Sequence, residues 1–420
     1  MPPSYTRFSA TVQPEGAFTV LAVARRLSAG GKEVIELEIG DSPFASPNSA
    51  IEAGIQAIRD GRTTYGPSIG LPEFREAAAT YVNEEHGISV TADHVVAGPG
   101  AKTFEQLFCE AFLEPDDGVL VFSPYFTTYA ANIARRGARM VLSNLRAAKA
   151  FRPNLGDVRR FLEEDASPKA IFLNSPHNPT GGVATEEDLG GLADLVRGRD
   201  VAVFSDEPYD CMVWEGRHKS LLAQSGMLEQ TVAAYTFSKS FSMSGWRLGY
   251  AVSSPATIKI FDLLTNTALS CVAPFVQMAG IAALREGRDY RDARMADFRR
   301  KVELLVSGLN TVDGVHCLMP GGTFYVFASV AAICNREAIT SHGLAMYLLE
   351  GADDQSGVAC LGGECFGAAG GGVLRVSCAQ PDERLTAAVD FIRDATTRSD
   401  RIAVYLESHQ EYRLEIPYAV

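Results

Sequence analysis

Lys239 stands in the run Ser238-Lys239-Ser240-Phe241-Ser242-Met243-Ser244-Gly245-Trp246-Arg247-Leu248-Gly249-Tyr250, just after the apolar stretch 231–235. A lysine at the end of a buried strand, packed among apolar side chains, can act as a nucleophile toward a carbonyl. Arg247 can return to the same pocket and grip a phosphate through two parallel N–H donors. Thr236 and Ser238 add hydroxyl donors beside it. An arbitrary lysine is far more often a plain surface residue, so the pair takes its meaning from the residues it keeps company with.

Three other segments supply that company. Asn174-Ser175-Pro176-His177-Asn178-Pro179-Thr180-Gly181-Gly182 follows an apolar strand. Its Pro and Gly residues fix an irregular turn at a strand end, where α/β sheets place their ligands. His177 reads as a loop residue rather than a catalytic one. Asp206-Glu207-Pro208-Tyr209 closes the next strand. Gly98-Pro99-Gly100-Ala101-Lys102-Thr103 precedes a helical run over 104–112. A glycine turn feeding a helix N-terminus offers backbone N–H groups and a favourable dipole to an anion.

The elements that must position these residues follow from hydrophobic patterning. Short apolar strands are expected at 118–122, 139–142, 170–173, 201–204 and 231–235, with helices near 127–136 and 185–196 between them. Continuous apolar strands alternating with helices indicate an α/β fold with a mostly parallel sheet covered on both faces. The later chain differs: a long helix over 291–309, strands at 315–318, 324–327 and 373–376, and helices near 344–349 and 382–395. That is an α+β pattern. The reading is a large domain over 46–289, a small domain built from both chain ends (1–45 and 290–398), and an appendage at 399–420, where Pro417 argues against a terminal helix. The Gly-rich run 362–372 reads as a mobile segment able to close over a ligand.

Composition narrows the function classes. The chain has 420 residues, a formal net charge of -13, 46% hydrophobic and 21% charged residues. That is long enough for two cores. The acidic balance disfavours nucleic acid and anionic membrane as partners. No apolar run of about 18 residues suggests a spanning helix, and the start MPPSYTRFSATVQPEG lacks the apolar centre of a leader. The eight cysteines are scattered without metal-ligand spacing. Free thiols in a reducing cytoplasm, and no metal, are the expectation, although Cys360 and Cys365 flank a Gly pair.

Taken together, SKSFSMSGWRLGY, NSPHNPTGG and DEPYD resemble the motifs of the class I/II aminotransferases, which are fold-type I pyridoxal-phosphate (PLP) enzymes like aspartate aminotransferase. The resemblance runs from about residue 34 to about residue 391. It implies a mostly parallel seven-stranded sheet flanked by helices, PLP held as a Schiff base on Lys239, and amino transfer between an L-amino acid and a 2-oxo acid. It further implies that Asp206 pairs with the pyridine nitrogen and that Asn178 and Tyr209 donate to the ring hydroxyl. Arg247, Thr236, Ser238 and the Gly100-Ala101-Lys102 turn would hold the phosphate. Phe126 stands where the family often has Trp and would stack on the ring. Arg375, in Val373-Leu374-Arg375-Val376-Ser377, matches the clamp for the substrate α-carboxylate. Gly40 matches a loop against the substrate, with Asn178 also near it. Tyr65 matches a residue reaching the partner subunit's phosphate, which implies a homodimer. A lyase, synthase, decarboxylase or oxidase on the same lysine site, or a non-catalytic binding protein, are the rival readings, because fold does not choose the reaction. No second arginine for a distal carboxylate stands out; Lys102 and Arg136 are the candidates.

Overall fold

The computed structural model describes residues 3–12 and 14–419. Met1, Pro2, Gln13 and Val420 lie outside it, and so do the parts of the leader and domain readings that fall on them.

Strand β1 is Glu33–Glu36. Seven later strands build one sheet: β2 (Val95–Gly98), β3 (Gly118–Ser123), β4 (Arg139–Asn144), β5 (Pro168–Asn174), β6 (Ala202–Asp206), β7 (Thr231–Thr236) and β8 (Gly249–Val252). Their order is β2-β8-β7-β6-β5-β3-β4. Only β8 runs against the rest, pairing antiparallel with β2 and β7. Residues of β3, β5, β6 and β7 are almost all buried, as expected where helices cover both faces of a parallel sheet. One layer packs Phe104, Phe108 and Phe261 against Phe172 and Phe204. On the opposite face Phe161, Leu162, Leu189 and Leu192 meet Ile171 and Val203. Thr185 starts the helix Glu186–Val196 with a reciprocal cap to Asp188, the arrangement that satisfies two of the free N–H groups at a helix start.

The remaining strands form smaller sheets: β9 (His316–Cys317), β10 (Tyr325–Ser329), β11 (Ser356–Ala359), β12 (Leu361–Gly362) and β13 (Val373–Ser377). β1 pairs in parallel with β11, and the others run in the order β12-β13-β10-β9. The helix Arg288–Leu309 covers this side through Phe298, Val302 and Leu305. All seven strands of the large sheet lie between residues 95 and 252, while β1 joins strands from the last third of the chain. That distribution supports the division at about 46 and 289, which we propose as the domain boundaries.

Two expectations change. The appendage 399–420, which the sequence left free to pack on the body or on a partner, packs on the body and starts with a helix. Ser399–Ser408 is a helix whose Ile402, Tyr405 and Leu406 are buried in the small-domain core. Pro417 lies beyond that helix, so it never bore on it. The Gly-rich run is closely packed rather than open: a Cβ on Gly363 would come within 1.9 Å of the Gly370 carbonyl. The glycines here serve backbone contact, and they bring buried Phe366 to the cavity wall.

Candidate active site

A cavity of about 500 Å³ opens at the C-terminal ends of β5, β6 and β7, with Tyr325, Leu361 and Arg375 on its small-domain side. Adjacent parallel strands end together there, so Asn174, Asp206 and Thr236 arrive at one edge. This is the position where open α/β sheets bind ligands.

The structure gathers most of the residues singled out by the sequence. Lys102, Ala101, Phe126, Asn178, Asp206, Tyr209, Thr236, Ser238, Lys239, Arg247, Arg375 and Gly40 all line this cavity. The Lys239 Nζ donates to the Gly40 carbonyl at 2.5 Å and lies 5.9 Å from the Tyr209 ring centre and 5.7 Å from that of Phe324. Gly40 has room for no side chain, since a Cβ would fall 1.6 Å from the Tyr325 hydroxyl. Gly100 sits at φ +89° beneath the Arg247 guanidinium. Tyr65 stands apart, 89% exposed and outside the cavity of its own chain. Arg136 is also elsewhere, donating to the Leu113 carbonyl at 3.1 Å. His177 is buried in its loop with Nδ1 at 2.7 Å from Thr180, and burial pushes its imidazole down to about 3. A ring held neutral that far below physiological pH suits a loop-packing role.

One end of the cavity is made for an anion. The helix Lys102–Phe112 begins with no side-chain cap at Ala101, which leaves its first N–H groups available. Thr236 Oγ1 donates to Ser238 Oγ at 3.0 Å. Arg247, held at φ 53°, donates to the carbonyls of Ser244 at 2.8 Å and Pro99 at 3.1 Å, so its fork is fixed beside the helix start.

Deeper in, Asp206 is buried and one of its oxygens accepts from the Tyr129 hydroxyl at 2.5 Å. Burial pushes its carboxyl up to about 7, against the pull of the Tyr129 hydrogen bond. A buried carboxyl in that state lacks a cationic partner, and a protonated ring nitrogen would supply one. Behind it, Glu207 accepts from Ser205 at 2.7 Å, Ser220 at 2.9 Å and Tyr235 at 2.8 Å, with His218 Nε2 at 2.8 Å. Burial would raise the Glu207 carboxyl, but His218 holds it below its ordinary range.

The opposite wall carries Arg375. It donates to Asn178 Oδ1 at 2.9 Å and to the Glu38 carbonyl at 2.5 Å. Its guanidinium lies 4.2 Å from the Tyr325 ring centre and 4.9 Å from that of Phe366. A planar cation stacked between rings, with donors held in plane, is shaped for a carboxylate. Tyr209 donates to the Tyr325 hydroxyl at 3.2 Å.

Four residues here escaped the sequence reading. Tyr129 carries the Asp206 contact. Glu105, buried on the cavity wall, accepts from Thr128 at 2.5 Å and Asn132 at 3.1 Å; burial and the nearby Asp206 raise its carboxyl well above the usual range. Tyr325 is the stacking plate under Arg375. Glu38 is fully buried, and apart from its own backbone neither carboxyl oxygen has a partner among the described residues. These acids carry no clear mark in the sequence: Glu38 alternates with Glu36 in Glu36-Leu37-Glu38-Ile39, and Glu105 stands beside polar Gln106.

Glu38 makes a testable contribution to stability. Burial raises its carboxyl from the ordinary 4.5 to about 7. Below 4.5 both folded and unfolded chains hold the proton. Between 4.5 and 7 the unfolded chain releases a proton that the folded chain keeps, so stability falls as pH rises, and the full cost is present above 7. A rise of that size corresponds to about 3 kcal/mol. Denaturant midpoints of the Glu38→Gln variant, measured against wild type from pH 4.5 to 8, should therefore show the variant gaining by about 2–3 kcal/mol across that range. Parallel curves would remove Glu38 from the account.

An anion cradle at one end, a buried carboxyl short of a cation at the other, and a lysine amine between them match the donor set that a fold-type I PLP enzyme requires. The aminotransferase class I and II family model matches residues 32–392. A probable aspartate/prephenate aminotransferase of Aquifex aeolicus is 34% identical over 388 residues, covering 91% of this chain and 96% of that protein. The aspartate aminotransferase of Thermus thermophilus, solved with maleate, superposes with a TM-score of 0.87 at 30% identity, covering 94% of this chain and all of the other. An aromatic aminotransferase of Pyrococcus horikoshii superposes with a TM-score of 0.79 at 30% identity, over 92% of this chain and 99% of that one. The chain belongs to the class I and II aminotransferases. It is a PLP-dependent enzyme that moves an amino group between an amino acid and a 2-oxo acid.

Proposed function

We propose the following division of labour within this aminotransferase site. Lys239 would hold PLP as a Schiff base, and its amine would carry the proton taken from the substrate α-carbon. Bound there, the cofactor supplies an electron sink. Asp206, oriented by Tyr129, keeps the ring nitrogen protonated. Asn178 and Tyr209 donate toward the ring hydroxyl, and Phe126 stacks on the ring. Arg247, Thr236, Ser238 and the backbone N–H groups of Ala101 and Lys102, with Gly100 shaping the turn, hold the phosphate. Arg375 takes the substrate α-carboxylate, and Gly40 lies against the substrate.

The observation that carries this reading is the Arg375–Asn178 hydrogen bond at 2.9 Å. It ties the carboxylate clamp of one domain to the cofactor-side loop of the other, so both ends of an amino acid are addressed at once.

The same reading extends to assembly. Tyr65 is 89% exposed, and Ile58 and Leu263 add apolar surface. These support a homodimer in which Tyr65 reaches the phosphate bound in the partner subunit. The eight cysteines are free among the described residues, which supports a cytoplasmic location. The acidic net charge of -13 supports a chain without nucleic-acid or membrane partners, and no helix among the described residues is long and apolar enough to cross a membrane.

Single-turnover experiments test the reaction. The loaded enzyme, mixed with one amino acid, should release one 2-oxo acid per site while retaining the nitrogen, then pass it to a second 2-oxo acid. Release of pyruvate and ammonia together with the substrate's β-substituent, with no nitrogen retained, would instead favour the lyase reading.

A further inference from the structure

Four basic side chains line the cavity: Lys102, Lys239, Arg247 and Arg375. On the functional reading above, on which this step rests, three are committed to the cofactor, its phosphate and the substrate α-carboxylate. Among the described residues of this chain, Lys102 is the cavity cation left to meet a second carboxylate on a substrate side chain. Its ammonium is already in direct contact with the Glu15 carboxylate and lies 5.3 Å from the Phe126 ring centre. Glu15 comes from the far end of the chain, at the start of the helix Gly16–Ala29, and its side chain is 19% exposed against 45% for Lys102. Glu15 and Lys102 thus close the cavity mouth from opposite sides.

A distal carboxylate entering here finds its cation already neutralised by Glu15. It would have to lose water without gaining a free partner, or displace Glu15 and leave that carboxylate unpaired. An uncharged side chain meets the opposite situation. Phe18, Ile39, Phe126, Leu361, Cys365 and Phe366 present apolar surface to it, and burial of apolar area is favourable in itself.

We propose that the substrates are amino acids and 2-oxo acids with uncharged, apolar side chains, and that Glu15 is the specificity-determining residue that excludes dicarboxylic ones by occupying Lys102. Both half-reactions use one site, so the restriction covers donor and acceptor alike.

Two measurements on the loaded enzyme test this. The first is kcat/KM for leucine, methionine and phenylalanine against aspartate and glutamate, for wild type, Glu15→Ala and Glu15→Asp. Wild type should favour the best apolar donor by at least about tenfold, a single lost tenfold discrimination being within reach of one uncompensated charge. Glu15→Ala should shrink that ratio about tenfold or more, through KM for the dicarboxylic donors, while Glu15→Asp retains most of it. The second is calorimetric binding of two unreactive probes, maleate and phenylpropanoate, which reads the subsite without turnover. Glu15→Ala should tighten maleate and leave phenylpropanoate nearly unchanged. Wild-type preference for aspartate or glutamate, or a ratio and a maleate affinity unmoved by Glu15→Ala, would overturn the proposal. Absence of transfer with every donor would strike at the aminotransferase reading instead, and the two probes would still decide the subsite.

Discussion

Lys239→Ala should yield a folded protein that binds PLP and cannot be linked to it. Borohydride treatment followed by intact mass measurement should add one cofactor per chain to wild type and none to the variant. The amine donates to the Gly40 carbonyl at 2.5 Å with the rings of Tyr209 and Phe324 beside it. On the proposed reading, removing it deletes the nucleophile and the proton carrier in one step. Positioned acid–base groups contribute up to about 10⁴-fold, so amino transfer should fall by at least that factor. Binding should survive, because the phosphate cradle of Arg247, Thr236, Ser238 and the Lys102–Phe112 helix start does not involve the amine. Lys239→Arg separates charge from nucleophilicity. It preserves the cation near Gly40 and should also trap nothing. Stoichiometric trapping in either variant would move the covalent site to another lysine, with Lys102 the other one on the cavity wall.

The residues that could be read from sequence share one property: each lies in a contiguous strand-end motif. Asn178, Tyr209 and Lys239 follow apolar strands within a few residues, Asp206 closes one and Arg247 stands just before β8, and parallel strands necessarily deliver their ends to one edge. Arg375 came only from the likeness of Val373-Leu374-Arg375-Val376-Ser377 to the family's carboxylate clamp. What stayed hidden depends on contacts between distant segments. Glu15 looks like an ordinary solvent-facing acid until the fold brings Lys102 to it. Tyr325 reads as core, and only the close approach of Gly40 and Arg375 shows what its ring supports. The short strands β2, at the sheet edge, and β8, beside it, four residues each, are too brief for period alone to reveal, and the reversal of β8 is set by pairing rather than by composition. The tail helix was readable in principle, since Ile402, Tyr405 and Leu406 have helical spacing. Pro417 drew weight away from it although the helix ends at Ser408.

Asp206→Asn should leave a protein that still forms the covalent link to PLP but transfers amino groups poorly. The carboxyl is buried, held by Tyr129 at 2.5 Å, and raised to about 7 by burial. That is the state of an acid awaiting a cation. Pairing with a protonated ring nitrogen would draw it back to the charged form and stabilise positive charge where the electron sink needs it. Breaking a buried, hydrogen-bonded charge pair costs about 3–5 kcal/mol, which is about a hundredfold to several thousandfold in kcat/KM at 1.4 kcal/mol per tenfold. The amide keeps the shape and the Tyr129 contact, so folding and borohydride trapping should persist. Asp206→Glu supplies the control: it retains the charge at a displaced position and should recover part of the loss. Tyr129→Phe should act in the same direction but weakly. It removes one hydrogen bond to a charged group, worth about 1.5–3 kcal/mol, and leaves the carboxylate in place. A graded series, wild type above Tyr129→Phe above Asp206→Asn, would show that the hydroxyl works through Asp206. Asp206→Asn with wild-type transfer rates would mean that the ring nitrogen does not depend on this carboxyl. The buried Glu105, a further acid on the cavity wall whose own carboxyl Asp206 pushes up, would then be the residue to replace.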